Sequence, residues 1–210
     1  QRVEFLPGYQ NAGYAAQYQG FVHKVQAAGA TLGSSTRLAE AVARYLFKLM
    51  AYKDEYEVAR LHTDKAFTDK IAAQFEGDYK LVHHLAPPLL AQRNSKGELV
   101  KRPFGPWMRS AFGLLARMKG LRGTAFDIFG KTEERRTERA LIQQYRACVE
   151  ELLQGLTPER LALAVQIASI PEDIRGYGHV KERHLQAARA RWDALMAQWR
   201  GGASMQRQAA

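Results

Sequence analysis

A mainly α domain interrupted by one small, irregular β-hairpin near 79–103 is the architecture we expect of these 210 residues. Three features lead there. Apolar residues recur at spacings of three and four over most of the chain, as one buried face of a helix requires. The stretch near 79–103 alternates instead and holds clusters of Pro, Asn and Gly, as a hairpin requires. No linker rich in Pro, Gly or Ser divides the chain, so residues 1–200 read as a single domain of about six or seven helices, with a flexible polar tail at 201–210.

Taken in order, residues 11–29 place Tyr14, Tyr18, Phe21, Val22 and Val25 on one helical face, and Gly29 with TLGSST (31–36) ends it. Residues 36–61 predict one long helix with the stripe Leu38, Ala41, Val42, Tyr45, Leu46, Leu49 and Met50. Asp64 caps a shorter helix carrying Phe67, Ile71 and Phe75 that stops at Gly77. Tyr79, Leu81 and His83 then alternate with Lys80, Val82 and His84 as a strand, and Pro87-Pro88 bends the chain. Asn94-Ser95-Lys96-Gly97 forms a turn before a short partner strand in ELVKR (98–102). Pro106 opens a helix carrying Trp107, Phe112, Leu114, Leu115 and Met118, and Gly120, Gly123 and Gly130 punctuate a loop. A helix follows over 132–154. Thr157-Pro158-Glu159 supplies a hydroxyl, a proline and an acid in the order that starts a helix, here a nearly all-apolar one. Ser169-Ile170-Pro171 breaks it, and a last helix spans 179–199.

Composition excludes several classes. The chain is 46% hydrophobic and 25% charged, which is ordinary for a globular protein. The single cysteine, Cys148, makes no intrachain disulfide, four-cysteine zinc site or cysteine-bound iron–sulfur cluster, and it suits a reducing, cytoplasmic setting. Nothing approaches the ~18–20 apolar residues of a membrane span. The opening QRVEFLPGYQ lacks the basic and apolar regions of a signal peptide.

Catalytic motifs fare poorly. Ala125–Thr132 (AFDIFGKT) is a loosened phosphate-loop pattern, but it follows a helix, and its bulky, acidic interior gives the phosphates no glycine cradle. Lys131-Thr132 reads more simply as the start of the next helix. The six histidines have no ligand spacing; on a strand His83 and His84 point to opposite faces, and His179 with Glu182 makes at most a pair. Asp54, Glu55 and Glu57 read as members of surface ion pairs, and Cys148 as a buried, inert thiol. No catalytic or metal-ligating residue is therefore assigned.

Charge carries more information. There are 31 Lys+Arg against 21 Asp+Glu, and within 101–146 the balance is 11 to 4. Arg117, Lys119, Arg122, Arg135, Arg136 and Arg139 form the candidate basic interaction face, which a solvated surface also explains. Glu133, Glu134 and Glu138 interrupt it, and no nucleic-acid-binding motif accompanies it, so a nucleic-acid partner is not expected. In 174–183 two glycines precede a helix start carrying Arg175, His179, Lys181 and Arg183. That is either an anion site or a flexible break between two helices.

Four long strings share a resemblance: LAEAVARYLFKLMAYKDEYEVARL (38–61), FEGDYKLVHHLAPPLLA (75–91), FGPWMRSAFGLLARMKGLRGTAFDIFGKTEERRTERALI (104–142) and IRGYGHVKERHL (174–185). Together they resemble the C-terminal region of the long, single-chain bacterial indolepyruvate ferredoxin oxidoreductases, over most of 36–200. The resemblance implies a parent enzyme that oxidatively decarboxylates arylpyruvates to acyl-CoA and passes electrons to ferredoxin. It implies thiamine diphosphate, magnesium and iron–sulfur clusters for that parent, in regions N-terminal to this one. None of the family's catalytic motifs falls in this stretch. The implied role is a non-catalytic accessory or interaction domain that packs on the catalytic body, with an acidic ferredoxin or the phosphates of CoA as further partners.

Overall fold

The computed structural model describes residues 1–30, 36–86 and 100–208, with the side chains of 202–208 left aside. The fold is mainly α with one two-stranded antiparallel sheet. By its internal contacts the chain divides into two compact units, Gln1–Tyr52 with Arg136–Ala210, and Lys53–Arg135.

The first unit holds α1 (Arg2–Tyr9), α2 (Ala12–Ala30), α3 (Arg37–Met50), α7 (Glu133–Gln154, from Arg136 onward), α8 (Leu161–Ala168) and α9 (Gly178–Gln208). Its core follows from helical spacing. Leu38, Val42, Tyr45, Leu46 and Leu49 of α3 and Leu141, Tyr145, Val149 and Leu152 of α7 are buried together with Ala164 and Ile167 of α8 and Trp192 and Trp199 of α9. Buried tyrosines spend their hydroxyls on carbonyls, Tyr9 on Tyr52 and Tyr145 on Ala168, each at 2.8 Å. The Arg160 guanidinium lies 3.6 Å from the centre of the Trp199 ring and donates to Gly155 O at 2.9 Å, tying the turn after α7 to α9.

The second unit holds α4 (Glu55–Thr63), α5 (Lys65–Ala72), β1 (His83–Leu85), β2 (Arg102–Phe104) and α6 (Met108–Arg117), followed by a 3-10 turn at Met118–Leu121 and a loop to α7. α4 packs on α6, with Ala59, Met108 and Phe112 buried and Leu85, Phe104 and Leu115 against them. β1 pairs β2 with His83 opposite Phe104 and Leu85 opposite Arg102. His83 is buried and His84 exposed, as strand alternation requires.

Several expected boundaries change. The helix expected over 36–61 is two, because the Asp54 carboxylate accepts the Glu57 N–H at 2.9 Å and starts α4 afresh. α1 was not expected: it is eight residues long, contains Pro7 and Gly8, and forms because Leu6 and Tyr9 bury against the core. α8 begins at Leu161, not at Thr157, since residues 157–160 turn tightly and the Arg160 N–H returns to Thr157 O at 3.1 Å. α9 extends beyond 199 to Gln208, so most of the stretch read as a polar tail is helical backbone. The expected helix stop over 31–35, Pro87-Pro88, the Asn94–Gly97 turn and the start of ELVKR lie outside the described residues.

Candidate functional site

The 174–183 segment is a helix start, as expected. Gly176 and Gly178 have φ of +89° and +54°, and a Cβ on Gly176 would meet Val180 Cγ1 at 2.8 Å. Its cations are not equally available. Lys181 pairs with the buried Glu138, and Arg175 donates to the Glu172 carbonyl at 2.9 Å and its carboxylate at 3.3 Å. Tyr177, His179 and Arg183 are exposed. The segment is anchored from α3, where Lys48 Nζ donates to Pro171 O at 2.7 Å and Glu172 O at 3.1 Å. Burial first, and then Arg175, lower the Lys48 pKa. The Tyr45 hydroxyl donates to Glu172 at 2.8 Å.

The six residues of the expected basic face differ in exposure. Arg122 is buried and forks onto Asp54, with Nε to Oδ2 at 2.5 Å and Nη2 to Oδ1 at 2.8 Å. Arg135 is mostly covered and pairs with Glu55 at 3.4 Å. Lys119 is half-buried, and burial followed by Arg60 and Arg122 lowers its pKa. Arg139 is half-buried, while Arg117 and Arg136 are exposed. The acids beside them are correspondingly misread as surface groups: Asp54 and Glu57 are buried, and Glu57 forks onto Arg60 at 2.7 and 2.8 Å. Sequence reasoning places charges at the surface by default, and only packing reveals a buried pair.

The 125–132 loop binds its own acid. Asp127 is buried, and its carboxylate accepts the Gly123 N–H at 2.7 Å, the Gly130 N–H at 2.8 Å and the Tyr56 hydroxyl at 3.2 Å. Donors that a phosphate loop would offer to a ligand are spent on this side chain. Burial first, then Asp127, push the Tyr56 pKa up. Thr132 Oγ1 accepts the Arg135 N–H at 3.3 Å, which helps open α7.

Cys148 is half-buried among α7 and α9; Trp192 Nε1 donates to its Sγ at 3.2 Å, and burial pushes its pKa up to about 11. No group of three or more His, Cys, Asp or Glu among the described residues is gathered as a metal site.

Helix α6 offers what the motifs do not. Met108 and Phe112 point into the core, whereas Trp107, just before the helix, and Leu114 are 62% and 65% exposed. Separated by seven residues, they share one face with the exposed Ala111. Both were expected to belong with Phe112 and Leu115. Phe126 and Ile128 in the following loop are also exposed. A readable signal was present: between Glu98 and Asp127 the chain has six basic residues and no acidic one.

The family model of DUF6537, a family of unknown function, matches residues 1–194. No curated protein and no solved structure matches the chain.

Proposed function

The chain belongs to the DUF6537 family, and from that premise we propose that it is a non-catalytic interaction domain that docks an acidic protein through the outer face of α6. The observation that carries this is the exposed Trp107–Leu114 pair on a helix whose other face is already packed. A solvated helix face is normally polar. Exposed aromatic and aliphatic side chains flanked by cations are instead the composition of an interface centre and its rim. The exposed Lys101 and Arg117 lie in the same acid-free stretch. Such cations steer an acidic partner, and the apolar pair holds it once water is excluded.

The resemblance of the chain to the C-terminal region of indolepyruvate ferredoxin oxidoreductases names a partner of the right charge, the acidic ferredoxin. The test is ferredoxin affinity of the full chain against salt, for wild type, Trp107→Ala and Leu114→Ala. Affinity should fall as ionic strength rises, and Trp107→Ala should weaken binding about tenfold or more. Absent binding, salt-insensitive binding, or equal affinity of both variants and wild type would overturn the reading. In a longer parent chain, a stop codon before Gln1 should then reduce arylpyruvate-dependent ferredoxin reduction with cofactors still loaded.

A CoA-phosphate site at 174–183 is less well supported. Glu172 and Glu138 already compete for Arg175 and Lys181.

A further inference from the structure

We propose that the Lys53–Arg135 unit contains a site for a small dianionic oxyanion, a phosphate ion or the phosphate of a small phosphomonoester. The site is a cavity of about 180 Å³ walled by α5, the segment leading into β1, and the start of α6. Its polar groups come from Tyr79, Lys80, His83 and Arg109, and Ile71 supplies an apolar wall.

The charge is one-sided. None of the described lining residues carries a carboxylate. Among the described residues neither Lys80 nor Arg109 takes part in an ion pair. Elsewhere in the unit Arg60, Lys65, Arg122 and Arg135 meet carboxylates. An anion in the cavity would meet a cation from each of two walls. The Thr68 hydroxyl is already spent on Lys65 O at 2.9 Å, so the available donors are the guanidinium, the ammonium, the phenol and the imidazole.

The floor is rigid. His83 is fixed by its register with Phe104 and is edge-on to Phe112 at 5.2 Å and to His62 at 5.0 Å. Whichever protonation state His83 adopts, its ring carries at least one N–H. Tyr79 is braced by Phe75 at 5.8 Å.

Size then limits the ligand. A cavity of about 180 Å³ takes a tetrahedral oxyanion with a small substituent, whereas sites for drug-sized ligands need roughly 300–1,000 Å³. A whole nucleotide or CoA molecule is too large. The site is separate from the Trp107–Leu114 face and does not depend on the docking proposal.

The experiment follows the histidine ring signals of the full chain by NMR while inorganic phosphate, phenyl phosphate or chloride is added at constant ionic strength. Phosphate should shift the His83 signals saturably and leave those of His179 and His184 in place, and chloride should do neither. Arg109→Gln should weaken phosphate about tenfold or more, as loss of a hydrogen bond to a charged group does. Lys80→Gln should act in the same direction. Both side chains are exposed, so neither change threatens the fold. Tighter binding of phenyl phosphate assigns a monoester, and tighter binding of phosphate assigns the free ion. No saturable His83 shift up to about 20 mM phosphate, or equal affinity in Arg109→Gln and wild type, would overturn the proposal.

Discussion

Replacing Arg122 with Met tests the buried ion pair that ties the loop after α6 to the start of α4. Arg122 and Asp54 are 4% and 2% exposed. The fork between them leaves the Asp54 carboxylate with one other donor, the Glu57 N–H at 2.9 Å. Deleting the guanidinium therefore strands a nearly desolvated anion, which costs about 3–5 kcal/mol. A unit of about 80 residues is stable by only ~4–12 kcal/mol, so Arg122→Met should remove a large share of the stability of Lys53–Arg135. The double variant Asp54→Asn/Arg122→Met keeps a capping side chain and strands no charge. It should recover most of the loss, because asparagine caps a helix about as well as aspartate. The assay is urea unfolding by far-UV circular dichroism, with amide exchange on peptides from 53–135 to locate the change. The midpoint should fall with m unchanged. A single-variant loss under about 1 kcal/mol, or a double variant as unstable as the single, would refute the account of a desolvated pair.

Other outcomes follow from the same geometry. Burial, then His83 and Lys53, lower the His62 pKa from its usual 6.5. The folded form thus binds that proton less readily, so His62 favours folding above pH 6.5 and that contribution is lost as pH falls through the lower folded value. His62→Phe, which can still stack on Phe112, should flatten stability against pH between about 7 and 5. Gly176→Ala should cost about 1–3 kcal/mol, from positive φ and the collision with Val180. Gly20→Ala, in α2 with open space around its Cβ, should instead stabilise by about 0.5–1 kcal/mol. Cys148 should react with iodoacetamide at pH 8 far more slowly in the folded chain than in urea, since its pKa is held near about 11. Equal rates would contradict a thiol held protonated by its half-buried setting.

Long amphipathic patterns were readable without coordinates. The stripes of α2 and α3 lie where their spacing put them, and the alternation expected over 79–84 overlaps the one observed sheet among the described residues at His83 and His84. These signals are local: a 3.6-residue or two-residue period repeats itself within one element. α1 and the break before α4 were less readable, because eight residues of backbone owe their helix to burial of Leu6 and Tyr9, and one carboxylate ends a periodicity that continues past it.

The residues themselves determined a basic, mainly helical chain with a hairpin and no catalytic motif, because composition and period belong to the chain as written. Folding decided which charges are spent and which remain available. Arg122, Arg135 and Arg109 look alike in a string of letters, yet the first is locked on Asp54, the second pairs with Glu55, and the third faces a cavity whose described lining holds no carboxylate. Trp107 and Phe112 are likewise both apolar residues of one segment, and only the packing of α6 on α4 turns one to water and the other inward. Pairing and exposure depend on neighbours distant in sequence, such as Asp54 and Arg122, and therefore on the fold.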